Sequence, residues 1–203
     1  MNDPRRVKYN FERPSGQSNV KVLVDGTTLY VSAEILSLHS HFFRSLYYRP
    51  MTDLECLEQP STSTAPCIGD DDFEPPLIRT DNNKKLVRMM GDKLNDVKHL
   101  FLMVYDPAQW PVTDRNVTFI MELADKYHFF TIMDRVNAFL VQKSRLPMEE
   151  RLDLADKHYQ SVLAGALLSL ISAKELKVLM KQNPERYSER MIKKFEKVLS
   201  ANQ

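Results

Sequence analysis

The chain has 203 residues, enough for one ordinary domain with an appendage, and 43% of them are hydrophobic, which supports a buried core and argues against a disordered chain. Its 28 Lys and Arg residues against 27 Asp and Glu residues leave a formal net charge of +1, and the short, separated basic pairs disfavour a nucleic-acid-binding protein. We find neither a membrane span of about 18 apolar residues nor the apolar run of a secretory leader, so we expect no membrane contact.

Two β segments open the chain. Apolar side chains alternate over residues 7–11, which predicts a short, half-buried strand. Valines alternate over residues 20–24, and residues 27–31 are rich in β-branched and aromatic side chains. Asp25-Gly26 between these runs is a favoured two-residue turn, because both turn residues need positive φ. The sequence therefore predicts a tight β-hairpin over residues 20–31.

Two short helices follow the hairpin. Ser32 stands where a helix cap belongs, since its hydroxyl can accept from a backbone N–H of the first turn. Glu34 favours the same helix end through the helix dipole. Apolar residues then recur at helical spacing as far as Tyr48, and Ser40 is a candidate cap for a second, contiguous helix.

Residues 49–84 are predicted to be an insertion that is mobile, because prolines break any long element and hydroxyl and acidic runs follow. The segment is either an inert linker or a docking segment regulated by phosphorylation. Its Cys56 and Cys67 are the chain's two cysteines, and such low usage suits a reducing compartment. We therefore expect the protein in the cytoplasm or the nucleus.

The rest of the chain is predicted to be one strand followed by helices. The strand covers residues 85–90, and the next helix is capped by Asn95 or Asp96. A second helix is capped by Thr113 or Asp114, and a third starts at about Thr131. Four short helical segments after Pro147 break near Tyr159, Ser172 and Pro184. The predicted fold class is an α+β domain that continues into an all-helical tail.

No arrangement of residues predicts catalysis. The sequence has no nucleophile elbow, phosphate-binding glycine loop or zincin motif, and its five histidines fall on separate predicted helices. His39 and His41 could ligate zinc together with the two cysteines, but the cysteine spacing is unlike that of a structural zinc site. We predict a protein that is not an enzyme, without catalytic residues, metal, cofactor or small-molecule substrate.

Two blocks of sequence resemble the BTB/POZ domain. The first is VKVLVDGTTLYVSAEILSLHSHFFRSLYY, residues 20–48, which has the family's hairpin and its Ser-x-x-Phe between the first two helices. The second, residues 96–141, has an Asp-Val helix ending in Val104-Tyr105 and a helix ending in Ala-Asp-Lys-Tyr. The resemblance implies an arm over 1–18, a BTB/POZ domain over 19–141 and a helical extension over 147–203 like that of cullin adaptors.

The resemblance implies a homodimer. The family's first helix lies at the two-fold interface, and residues 7–11 resemble the amino-terminal strand that BTB protomers exchange. The alternatives are that the helix stripe is ordinary core, and that 7–11 is an edge strand of its own sheet or disordered. The residues expected at the interface are Val7, Tyr9, Phe11, Ile35, Leu36 and Leu38.

The implied function is a scaffold or adaptor that bridges partner proteins. One alternative is a substrate adaptor that docks on a cullin of a RING ubiquitin ligase, although Met51-Thr52-Asp53 and Cys56-Leu57-Glu58 match the apolar-x-Glu motif of cullin binders imperfectly. A co-repressor-type nuclear cofactor is disfavoured, since Ser32-Ala33 replace the basic pair of such relatives. Residues expected to bind partners are Phe42, Tyr47, Tyr48, Met51, Asp53, Leu54, Glu58, His99, Tyr105 and Trp110.

Overall fold

The computed structural model describes residues 9–48, 78–81, 84–182 and 185–201. The described residues form two strands, two helices, two further strands and then seven helices, which confirms the predicted α+β class. The chain divides into two compact units. Unit 1 is the part up to Pro111 together with Tyr127–Phe130, and unit 2 is Val112–Lys126 together with the part from Thr131 onward.

The predicted hairpin is confirmed. Strands β1 (Val20–Val24) and β2 (Thr27–Val31) pair antiparallel, with Val24 opposite Thr27. Asp25 and Gly26 both have positive φ, 46° and 74°, as the two-residue turn requires. The valines of β1 are buried, so the alternation read from the sequence is the alternation between the two faces of the sheet.

The sheet contains one strand, β3 (Ile78–Asp81), that the sequence analysis did not predict. The order of strands in the sheet is β2-β1-β4-β3. Strand β4 (Lys84–Met89) runs parallel to β1, and β3 pairs antiparallel with β4. Strand β4 confirms the predicted strand at 85–90 within one residue at each end. Strand β3 lies inside the segment that we predicted to be an insertion.

The two serine caps are confirmed. Helix α1 (Ala33–His39) begins after Ser32, whose hydroxyl accepts the Ile35 N–H at 3.2 Å. Helix α2 (His41–Tyr48) follows Ser40, whose hydroxyl accepts the Phe43 N–H at 3.2 Å and donates to the carbonyl of Tyr127 at 2.7 Å. The second serine therefore fixes α2 to a distant part of unit 1 as well as to its own first turn.

Three local predictions are wrong. Helix α3 (Leu94–Tyr105) begins after Lys93, which makes no side-chain cap, so Asn95 and Asp96 lie inside the first turn. The described part of the amino-terminal segment, residues 9–11, is not a strand: one backbone hydrogen bond joins it to β2, and it then turns. Helix α4 (Val117–Lys126) begins later than a cap at Thr113 or Asp114 would place it.

Aromatic side chains form much of the core of unit 1. The Phe101 side chain is fully buried, and its ring centroid lies 5.8 Å from that of Phe11 and 6.4 Å from that of Phe43. Phe43 in turn packs on Phe129 at 5.7 Å. These mostly edge-to-face pairs join the amino-terminal segment, α2, α3 and the 127–130 segment.

Unit 2 is helical. Helix α5 (Phe130–Gln142) precedes the four tail helices α6 (Met148–Lys157), α7 (Ser161–Leu168), α8 (Ala173–Gln182) and α9 (Glu189–Ala201), and the predicted breaks between these four are confirmed. Helix α4 and all but the first residue of α5 group with the tail helices. The boundary predicted at residues 141–147 stays a prediction, since such grouping does not define a part that folds alone.

Two polar clusters fix the start of α9 to α6. The Asp156 carboxylate is 9% exposed and accepts from the Ser188 backbone N–H at 2.7 Å and from the Ser188 hydroxyl at 2.6 Å. Arg186 donates to Asp153 and to Glu149, each at 2.7 Å. These contacts span more than thirty residues of sequence and hold α9 where Met191 and Phe195 are buried.

Candidate interaction surfaces

The outer face of α1 is the first candidate surface. Leu38 is 66% exposed, and Ile35, one turn earlier on the same helix, is half-buried. Leu36 is 0% exposed and belongs to the core of its own unit, so placing it at a dimer interface was wrong. The apolar spacing read from the sequence thus covers two faces of the helix, and Ile35 and Leu38 form the outer one.

The amino-terminal segment packs on its own unit. Phe11 is 6% exposed, and its carbonyl accepts the Tyr30 N–H at 2.6 Å. Tyr9 is 37% exposed and meets the Tyr105 ring edge-on at 5.2 Å. Phe11 is therefore buried within its own unit; its exchange with a partner protomer stays a prediction, and Val7 lies outside the described residues.

Tyr105 binds the backbone at the end of the β1–β2 hairpin in its own unit. Its hydroxyl accepts the Ser32 N–H at 2.7 Å, and burial raises the pKa of Tyr105 to about 12. Asn19 completes this junction, because its amide oxygen accepts the Ala33 N–H at 2.8 Å and its amide nitrogen donates to Glu34 at 2.8 Å. The hydroxyl of Tyr105 is thus engaged inside the unit, and since its ring is half-buried, partner binding by this residue stays a prediction.

The residues predicted to bind partners on α2 are only partly accessible or described. Phe42 is half-buried, with its ring 5.1 Å from Phe43 and 5.5 Å from Tyr127. The backbone of Tyr47 and Tyr48 belongs to α2, and their side chains lie outside the description. The remaining predicted residues outside the described ranges are Met51, Asp53, Leu54 and Glu58.

His99 and Trp110 form one half-buried pair in unit 1. Their ring centroids lie 5.1 Å apart with the planes nearly perpendicular, at 84°. Burial lowers the pKa of His99, and the charge of Asp96 opposes that shift. The structure therefore brings together two residues that the sequence analysis named separately, and both side chains are half-buried.

The outer face of α7 is an apolar surface that the sequence analysis missed. Val162 is 86% exposed, and Leu170, just beyond the helix, is 56% exposed. Tyr159 before the helix is 74% exposed at a φ of 54°, and the Arg190 guanidinium lies 4.4 Å from its ring centroid. The signal was present in SVLAGALL, which is apolar on every side, whereas a helix facing water should have a polar stripe.

Neither a metal site nor a membrane span is found in the parts of the chain that the structure describes. No group of three or more His, Cys, Asp or Glu side chains there could hold a metal ion. None of the helices over those residues combines the length and apolar character that crossing a bilayer requires. Cys56 and Cys67, considered with His39 and His41 as zinc ligands, lie outside the described ranges.

Comparison with known proteins gives a distant similarity to a curated protein. No family model matches the chain. The chain is 23% identical over 164 residues to BTB and MATH domain-containing protein 38 of Caenorhabditis elegans. The match covers 79% of this chain and 34% of the relative, so the chain spans about a third of that protein's length. At this identity the comparison indicates a BTB-like relationship and, in general terms, a module for protein–protein interaction.

Proposed function

We propose that this chain is a non-enzymatic, BTB-type scaffold that forms homodimers and bridges partner proteins. The observation that carries the proposal is the outer face of α1, where Leu38 is 66% exposed on a helix that directly follows the β1–β2 hairpin. The parallel pairing of β1 with β4 after two intervening helices and the distant similarity to a BTB and MATH domain protein support it.

Burial of this face provides a physical reason for self-association. Covering a leucine side chain is worth about 1.5–3 kcal/mol, and Ile35 on the same face would add to it. A two-fold axis beside α1 brings this face of one protomer against the same face of its partner. Each apolar side chain of the face is then buried in both protomers. A single exposed leucine is ordinary, and the proposal therefore depends on the measured mass of the protein.

Leu38→Glu is expected to shift the full chain from dimer to monomer, because association would bury two unpaired carboxylates. Size-exclusion chromatography with light scattering at about micromolar concentration measures the mass, on the scale on which a dissociation constant of 1 µM corresponds to about −8 kcal/mol. Val178→Glu is the matched control, since it makes the same type of change at a residue of α8 that is 46% exposed. A wild-type monomer, or a dimer that survives Leu38→Glu, would contradict the proposed interface.

A second candidate is a substrate adaptor of a cullin-RING ubiquitin ligase. The exposed apolar residues on and beside α7 favour it, because exposed apolar surface marks protein-binding sites. They lie in the helical tail, which by resemblance extends the cullin-binding surface. Arg190 beside Tyr159 adds a cation and an aromatic ring, the side chains most enriched where binding energy concentrates.

Val162→Glu separates the two candidates in a pull-down from native lysate, read by mass spectrometry. Under the adaptor function wild-type protein recovers a cullin with its RING subunit, and Val162→Glu reduces that recovery at least tenfold, about 1.4 kcal/mol. Leu38→Glu serves as the control, because it alters the other apolar face. Recovery of a stable set of proteins without a cullin would exclude the adaptor and support the scaffold.

A further inference from the structure

The outer face of α7 has no charged side chain. Its exposed residues are Ser161, Val162, Gly165 and Ser169, and a helix side that met only water would have charged residues. Val162 is 86% exposed, and a Cβ placed on Gly165 would meet no atom within 4 Å. The face is therefore low and open, so the backbone of a second segment could approach it closely.

Tyr159 lies beside this face in a conformation that favours glycine. It follows α6 with a φ of 54°, and the next N–H, that of Gln160, donates to the Ala155 carbonyl at 2.8 Å, as at helix ends with a left-handed residue. The Tyr159 ring is 74% exposed, so burial in the core does not offset this strain. The Arg190 guanidinium lies 4.4 Å from its centroid and orients the ring. A strained aromatic residue that stays exposed indicates a role at the surface.

Cations border the same face on the side of α9. The Lys194 Nζ donates to the Ser161 hydroxyl at 2.6 Å and to the Ser161 carbonyl at 3.1 Å. No carboxylate pairs with Lys194 among the residues that the structure describes. Arg190 and Lys197 lie four residues before and three residues after Lys194, so the three cations share one side of the helix.

The charge of the last three helices indicates what kind of segment binds there. Residues 157–203 include nine Lys and Arg residues and four Glu residues, a net charge of +5 in a chain whose total is +1. Residues 1–156 therefore have a net charge of −4. On α9, Glu189 and Glu196 lie seven residues apart, on a side of the helix that the three cations do not share. Complementary charge speeds association and disfavours wrong partners, so the surface suits a segment with carboxylates beside apolar side chains.

The position of the apolar residues favours a protein segment over an anionic membrane. A helix that lies in a bilayer inserts its apolar side, whereas Met191 and Phe195 on the apolar side of α9 are buried within unit 2. Hydrogen bonds hold Arg190 to the Asp156 carbonyl and Lys194 to Ser161. Cations fixed in this way match a partner with carboxylates at defined spacing, while attraction to lipid headgroups requires only a cluster of charge.

We propose that the outer face of α7 docks an acidic amphipathic helix of a partner protein, with its apolar side chains on Tyr159 and Val162 and its carboxylates on Lys194 and Lys197. The inference names the chemistry of a partner for this face, whether or not that partner is a cullin. It is independent of the proposed dimer, which uses the outer face of α1.

Two fluorescently labelled peptides test the proposal on the full chain. One consists of two repeats of Glu-Leu-Ala-Glu-Leu-Leu-Ala, and in the other glutamine replaces every glutamate. Fluorescence anisotropy at about 50 mM salt is expected to give a dissociation constant of tens of micromolar for the glutamate peptide and binding at least tenfold weaker for the glutamine peptide. The preference should shrink at about 500 mM salt, since the exposed cations are then screened.

Three variants locate the binding surface. Val162→Glu and Lys194→Glu should each weaken binding of the glutamate peptide at least tenfold, because each places a carboxylate against the carboxylates of the peptide. Tyr159→Gly should weaken it to a similar extent without lowering the melting temperature, because glycine adopts this φ without strain. Lys143→Glu is the matched control, since it makes the same change of net charge at an exposed residue outside α7, α8 and α9, and it should change binding by less than about twofold.

Several outcomes would overturn the proposal: no binding of the glutamate peptide, equal binding of both peptides, or equal weakening by Lys143→Glu and Lys194→Glu. Full-strength binding by Tyr159→Gly would also overturn it, and this variant does not depend on the folding of the charge variants. Vesicles containing phosphatidylserine that bind the chain when the glutamate peptide does not would assign the surface to lipid instead. Failure of the peptide to bind, with a dimer that Leu38→Glu dissociates, would reject this docking surface and leave the proposed scaffold standing.

Discussion

Phe101→Ala is expected to destabilise unit 1 by about 3–5 kcal/mol. The side chain is fully buried on α3, and the rings of Phe11 and Phe43 pack edge-on against it. Truncation removes its buried apolar surface and leaves a cavity between three segments that cannot all close in. Native-state hydrogen exchange of the amides of α3 and β1 measures the loss as a lower free energy of opening.

Phe101→Leu gives a graded comparison, because it retains most of the buried volume and should cost clearly less than the alanine variant. Leu102→Ala is the control on the same helix, at a half-buried residue. A cost for Phe101→Ala no larger than that of Leu102→Ala would contradict the central place of this ring.

Asp156→Ala is expected to lower the free energy of unfolding of the α9 region by about 3 kcal/mol. The variant leaves the Ser188 N–H and hydroxyl without their acceptor, and it removes the carboxylate that lies 3.4 Å from Arg190. Hydrogen exchange should rise throughout α9, because the contacts that position its first turn are lost.

Asp156→Asn is the matched variant, since it keeps one acceptor oxygen and nearly the same volume, and we expect an intermediate effect. Lys193→Ala, at an exposed residue of α9, should leave exchange unchanged. Unaltered exchange of α9 in Asp156→Ala would show that burial of Met191 and Phe195 positions this helix without the polar cluster.

Some residues of the candidate surfaces are predictable from the local sequence pattern, and others depend on contacts between distant parts of the chain. Leu38 was identified by its spacing, but Leu36 beside it carried the same signal and is core. The sequence SVLAGALL, which is apolar on all sides of the helix, indicated the exposed face of α7, and the sequence analysis did not predict it.

The sequence by itself determined the elements whose stabilising contacts are local. The Asp25-Gly26 turn and the caps at Ser32 and Ser40 depend on residues three positions apart, so residue type and order suffice to predict them.

Only the tertiary structure decided which residues meet across long stretches of chain. It paired β3 with β4, buried Phe11 against Phe101, and joined Asp156 to Ser188 across 32 residues. The free energy of such contacts comes from burial and from partners that folding brings together. The residue spacing within one segment predicts neither of these. The local sequence around Asp156 or Phe11 would be the same whether the side chain faced water or a partner within the fold.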